Sequence, residues 1–230
     1  MKDSIYTIPL SEVFEPKDGC PICRLRNMLE ERCLEYIMGA AMMEPDIRIQ
    51  TNEAGFCHAH FERMLKAKNR LSLALMLESR LAYVAEHELA AQPEKAGFFK
   101  KKPADPVQKQ SCFVCGEVER VLDRMLHTLL HTWEKEASFQ KLYGEQPFIC
   151  LEHCRRLTAL APSVLGKNAP AFVEQTQRIT RQYLEELQKD VTHFCRMYDY
   201  RSKGKDWGNS RDAIERSIVF LTTRRPGEEK

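Results

Sequence analysis

Four short motifs constrain this chain more than any other feature: CPIC at 20–23, CHAH at 57–60, CFVC at 112–115 and CLEH at 150–153. Two thiolates separated by two residues can turn inward on a tight knuckle, and a Cys and a His at i and i+3 of a helix project from one face. One motif of each kind closes a tetrahedron around a metal ion. The fold must therefore bring a CxxC to a CxxH, twice. In CHAH two histidines compete, and CLEH decides between them because it keeps only the i+3 histidine. His60 is the ligand candidate and His58 a bystander.

The motifs repeat in order. Cys20 to Cys112 is a shift of 92 residues and Cys57 to Cys150 one of 93, as duplication of one unit with a single insertion would leave them. On that reading each half closes its own site: Cys20, Cys23, Cys57 and His60 in the first, Cys112, Cys115, Cys150 and His153 in the second. Three thiolates and an imidazole favour Zn²⁺ over hard cations, which want oxygen, and over copper, whose usual sites differ in geometry. Two Zn²⁺ per chain are expected. Each CxxC opens a helix and each CxxH begins another, so helix N-termini face a centre of net charge −1. Four protein ligands leave no open position for water or substrate, which marks a structural zinc. An iron–sulfur cluster is the competing occupant, and colour would distinguish it.

Cysteine is also a small buried hydrophobe. For Cys33 and Cys195, on apolar stripes, that is the expected role; for eight residues with matched spacing it is not. CPIC also resembles thioredoxin-like and glutaredoxin-like redox sites, but those need a βαβ setting that this chain lacks. Cys154 stands where the first half has Phe61. It either replaces a buried apolar residue or serves as a resolving thiol for Cys150, and the second role would turn that zinc site into a redox switch.

Apolar residues recur at helical spacing over most of the sequence. Leu25, Met28, Leu29, Cys33, Tyr36 and Ile37 form one stripe; Val118, Val121, Leu122, Met125, Leu126, Leu129, Leu130 and Trp133 form a second. Helices are also expected over 56–91, with a break at Lys68-Asn69, and from Cys150 to just before Pro162. A long helix after Pro170 carries Phe172, Thr176, Ile179, Tyr183, Leu187, Val191, Phe194 and Tyr198 on its inner face, and a short one spans Asn209–Thr222. Only IRIQ at 47–50 alternates, too briefly to build a sheet. The expected fold is all-α, with two repeated zinc-anchored helical units, a long helix and a short C-terminal helix. Its divisions are 1–92, an exposed basic linker at 93–111, 112–205, and 206–230. The stretch MEPDIRIQTN at 43–52 reads as a non-helical crossing, either a plain strap or a binding loop.

Lys+Arg number 35 and Asp+Glu 33, a net of +2, far from the basic excess of a dedicated nucleic-acid binder. No secretory signal is legible at MKDSIYTIPLSEVFEP, no apolar run approaches the ~20 residues of a spanning helix, and cysteine usage suits a reducing compartment. A cytoplasmic location is expected. His58, His87, His127, His131 and His193 form no nucleophile–base pattern, and no phosphate-cradling loop occurs, so no catalytic residue is assigned.

The segments IYTIPLSEVFE, MMEPDIRIQTNEAGFCHAHFERML and KNRLSLALML together resemble an uncharacterised family of bacterial proteins with paired CPxC and GFCxxH elements. That resemblance implies ligand roles for Cys20, Cys23, Cys57 and His60, and a cytoplasmic helical protein. It implies no activity, substrate or partner. The functional expectation is a non-enzymatic, zinc-binding interaction or regulatory module with a protein partner. The alternatives are a cytosolic thiol or metal sensor, and a nucleic-acid binder acting through Lys95, Lys100, Lys101, Lys102 and Lys109.

Overall fold

The computed structural model describes residues 10–89 and 112–223. The expected linker at 93–111 lies outside the described residues. Among the described residues the fold is all-α, without strands. The α-helices are α1 (Leu10–Phe14), α2 (Pro21–Met38), α3 (Pro45–Ala54), α4 (His58–Lys66), α5 (Arg70–Tyr83), α6 (Phe113–Lys135), α7 (Ala137–Gly144), α8 (Leu151–Leu165), α9 (Ala169–Met197) and α10 (Ala213–Thr222). A π-helical stretch, Val84–Glu88, extends α5.

The compact units are not the two sequence halves. One unit takes residues up to Asn27 together with Leu122 onward; the other runs from Met28 to Val121. The second unit is thus inserted in the sequence of the first.

In the discontinuous unit, the stripe of α6 is buried as expected, with Leu122, Leu126, Leu129 and Leu130 fully so. Its aromatic core joins Phe14 to Phe139 at 5.1 Å between centroids, Tyr143 to Phe172 at 5.2 Å and Trp133 to Phe172 at 5.1 Å. The buried polar ends are satisfied: the Tyr143 hydroxyl lies 2.8 Å from Thr176 Oγ1, and Trp133 Nε1 donates to Gln175 Oε1 at 2.7 Å. Helix α8 does not stop before Pro162 but continues to Leu165. Leu157, Ala161 and Leu165 form an i, i+4, i+8 stripe that packs with α9, while Pro162 sits on the exposed side. Burial of that stripe outweighs one lost backbone hydrogen bond. The inner face of α9 is buried at Phe172, Thr176, Ile179 and Leu187, then fades towards its C-terminus until Tyr198 is 74% exposed. The C-terminal helix is shorter than expected, because residues 208–210 form a separate 3₁₀ turn.

In the continuous unit, Leu29, Cys33, Ile37, Met64, Leu73, Met76, Val114 and Val118 make the core. The expected break after α4 is present: Asn69 caps α5, its side chain accepting from Ser72 N at 3.2 Å while its Nδ2 donates to the Met38 carbonyl. The stretch 43–52 is mostly helical, contrary to its reading as a crossing. Glu44 is extended and Pro45 occupies the first helical position, where its fixed φ and missing N–H favour a helix start, and α3 runs from there to a glycine cap at Gly55.

Candidate metal centres

All four motifs share one local geometry. Cys57 and Cys150 are N-cap residues with extended backbone, φ/ψ of −76/162° and −64/160°, and their carbonyls accept the first helical bonds from Phe61 and Cys154. Cys20 and Cys112 accept from Arg24 and Gly116 in the same way. The first cysteine of each motif therefore stands at a helix mouth, and the second ligand follows one turn in, on the same face.

The structure brings all eight predicted residues into two tetrads, but exchanges their partners. One tetrad is Cys20, Cys23, Cys150 and His153; the other is Cys57, His60, Cys112 and Cys115. Each CxxC meets the CxxH of the other sequence half, which corrects the expected half-by-half assignment. The reason is the fold itself: the first tetrad falls wholly within the discontinuous unit and the second wholly within the inserted one. Within each, the four ligand atoms lie within 4.8 Å of one another, so each tetrad could hold a metal ion. His58 lies outside both, pairing instead with Glu62.

In the first tetrad, His153 Nδ1 lies 3.0 Å from Cys150 Sγ, 3.4 Å from Cys23 Sγ and 3.7 Å from Cys20 Sγ, and Cys23 and Cys150 are 3.6 Å apart. Cys20, Cys150 and His153 are buried and Cys23 partly so. In the second, His60 Nδ1 lies 3.0 Å from Cys57 Sγ, 3.2 Å from Cys112 Sγ and 3.6 Å from Cys115 Sγ. This tetrad is more open: Cys57 is half-buried and Cys115 exposed.

A further pair orients His60. Its Nε2 lies 2.7 Å from Glu30 Oε1, which also accepts from Arg63 Nη1 at 2.8 Å. A carboxylate on Nε2 fixes the proton there and leaves Nδ1 free for a metal. Sequence reasoning missed Glu30 and Arg63, because a Glu on the polar side of one helix and an Arg one turn after a ligand carry no distinctive spacing. It also missed Arg80, whose guanidinium donates to the Asn52 carbonyl and would meet a side chain at Gly55, two residues before Cys57.

The electrostatics of both tetrads would suit a cation. Hydrogen bonding from Cys115 and His60 outweighs burial and holds Cys112 down to about 3, while the same crowding drives Cys115 far up. Cys20 is held well below its ordinary value, against burial, by Cys150, Cys23 and His153, whereas Cys23 is driven upward. Burial lowers His60, but the Cys112 and Glu30 contacts prevail and raise it to about 10. Three thiols this close cannot all ionise unless a positive charge sits among them.

Cys33 is buried in the core, as expected, but Cys195 is exposed, contrary to expectation. Its neighbours on α9 explain this, since the inner stripe is already losing cover at that level. No helix among the described residues is long and apolar enough to cross a membrane. No curated protein and no solved structure matches the chain. A family model does, over residues 1–228: the chain belongs to the Family of unknown function (DUF6062).

Proposed function

We propose that each tetrad holds one structural Zn²⁺ and that the protein is a non-enzymatic interaction or regulatory module built on these two anchors. The observation that carries this reading is the closure of both tetrads by four protein donors each. A tetrahedral Zn²⁺ with Zn–S of about 2.3 Å and Zn–N of about 2.05 Å needs S–S edges of about 3.8 Å and S–N edges of about 3.6 Å. The observed 3.6 Å S–S and 3.0–3.7 Å S–N separations are near those edges, and a small expansion on metal entry completes the fit. Four donors fill the coordination sphere, so the metal supplies rigidity rather than a reactive position. Elemental analysis of the purified protein tests this: two zinc ions per chain are expected, and fewer than one, or iron with visible absorbance, refutes it.

A second reading, the thiol sensor, draws support from the inequality of the tetrads. The expected switch pair is buried, Cys150 at 0% and Cys154 at 8% exposure. Cys115, in the other tetrad, faces solvent. Peroxide would therefore act there first: Cys112 and Cys115 give up two electrons and form a disulfide, peroxide takes them and leaves as water, and Zn²⁺ is released. Release of one zinc by mild peroxide with a Cys112–Cys115 disulfide supports the sensor; simultaneous loss of both ions leaves only the structural role.

A further inference from the structure

Between the end of α9 and the start of α10 the chain folds a short loop that neither metal centre uses. Residues 195–211 hold five basic side chains, Arg196, Arg201, Lys203, Lys205 and Arg211, against two acidic ones, Asp199 and Asp206. All five basic residues are exposed. Both acids serve local backbone: Asp199 accepts from Arg201 N at 2.9 Å, and Asp206 from Gly208 N at 3.0 Å. Among the described residues Arg196, Lys203, Lys205 and Arg211 have no acidic partner.

Aromatic rings are interleaved with those charges. Tyr198 is 74% and Tyr200 81% exposed, a costly placement for rings that size. Trp207 folds back on Phe194 at 5.4 Å and on Tyr198 at 5.7 Å, both edge to face, so one face of the cluster is held while Tyr198 stays open. The Arg201 guanidinium lies over the Tyr200 ring, 5.3 Å from its centroid. The loop is fixed rather than loose: Ser202 N bonds to Asp199 O at 2.8 Å, Lys205 N to Ser202 O at 3.0 Å, and the Ser210 hydroxyl ties Trp207 O to His193.

We propose that this loop, with the last turns of α9, binds single-stranded nucleic acid: Tyr198 and Tyr200 stack on unpaired bases, and Arg196, Arg201, Lys203, Lys205 and Arg211 contact phosphates. A single strand alternates one negative charge with one planar ring, as the loop alternates cations with rings. A duplex hides its base faces, and an acidic peptide matches the charges but brings no planar groups to cover two tyrosines. The proposal uses different residues from the lysines at 95–109 and does not depend on the metal reading. A net charge of +2 makes the binding weak and salt-sensitive rather than that of a dedicated binder.

The test is fluorescence anisotropy of a labelled twenty-nucleotide oligo-dT with the full chain at 50 and 200 mM salt. Binding at 50 mM that weakens with salt is expected. Tyr198→Ala with Tyr200→Ala should weaken it by about tenfold or more, while Tyr198→Phe with Tyr200→Phe keeps it, because the ring and not the hydroxyl stacks. Lys203→Gln with Lys205→Gln should flatten the salt slope by about 1.4. A variant with Lys95, Lys100, Lys101, Lys102 and Lys109 all changed to Gln should bind as wild type. Melting temperature and helical circular dichroism of each variant report that it is folded. The proposal is overturned by no binding at 50 mM, by equal binding of a duplex of the same length, by unchanged affinity in the tyrosine-to-alanine variant, by loss of binding in the five-lysine variant, or by equal displacement with poly-glutamate.

Discussion

Replacing His153 by Ala separates the exchanged ligand pairing from the half-by-half one. Its imidazole touches Cys20, Cys23 and Cys150, ligands 133, 130 and 3 residues away. Losing it should leave those three thiols without a metal while the other tetrad keeps its own. Structural zinc binding is worth about 10–16 kcal/mol, against a whole-domain stability of about 5–15 kcal/mol, so the discontinuous unit should not keep its fold without the ion. The length of the tethered loop adds to the effect: the length-dependent closure cost, (3/2)RT ln n, is about 4.3 kcal/mol for 133 residues and about 3.5 kcal/mol for 55. His153→Ala should therefore destabilise more than His60→Ala, by about 0.8 kcal/mol on closure alone. The assay is zinc stoichiometry with alkylation read by mass spectrometry. One zinc should remain, with Cys20, Cys23 and Cys150 labelled and Cys57, Cys112 and Cys115 protected. Labelling of Cys112 and Cys115 with protection of Cys20 and Cys23 would refute the exchanged pairing.

Glu30→Gln should lower zinc affinity about 10–100-fold at the tetrad containing His60 and leave the other unchanged, as read by competition with a chromophoric chelator, since the carboxylate on Nε2 sets which ring nitrogen faces the metal. Gly55→Ala should cost about 1–3 kcal/mol in thermal unfolding, because its φ of 62° with ψ of −163° suits glycine alone and a methyl there would lie 3.3 Å from Arg80 Nε. In zinc-loaded native protein at pH 8, a thiol reagent should modify Cys195 and spare Cys33. Burial pushes the Cys33 thiol up to about 12, so its reactive thiolate appears only as pH approaches that value or the unit opens.

The eight ligands were legible because each motif is local: an N-cap cysteine and a residue one turn later share a face whatever surrounds them. Their partners were not. A CxxC carries nothing that names its CxxH, and the nearer choice is favoured too little to decide: joining Cys20 to a motif 37 residues on rather than 130 saves only about 1.1 kcal/mol of closure entropy. Burial of Phe14, Ile22, Leu25 and the α6 leucines, which belong to the same unit, outweighs that. The same limit explains the misread boundaries. Pro162 is a helix breaker by local rules and Pro45 a helix starter, and only the buried stripe of α8 and the extended Glu44 show which rule operates. The exposure of Tyr198 and Cys195 was hidden because the α9 periodicity continues past the point where neighbours cover it.

The insertion of one unit within the sequence of the other has a consequence for synthesis on the ribosome. The motif CPIC emerges first, yet its partners Cys150 and His153 follow some 130 residues later. At about 5–20 residues per second that is an interval of roughly 7–26 s during which an open pair of thiols meets every ligand made in between. Cys57 and His60 appear first among them, and they would complete a tetrahedron that chemistry accepts and the finished fold does not. The inserted unit removes that temptation once Cys112 and Cys115 emerge and claim Cys57 and His60. If the two centres take zinc as proposed, its abundance during translation would be a hazard as well as a need: a nascent chain loaded too early would be held in the wrong register, and its rescue would depend on how quickly thiolates exchange a metal already bound.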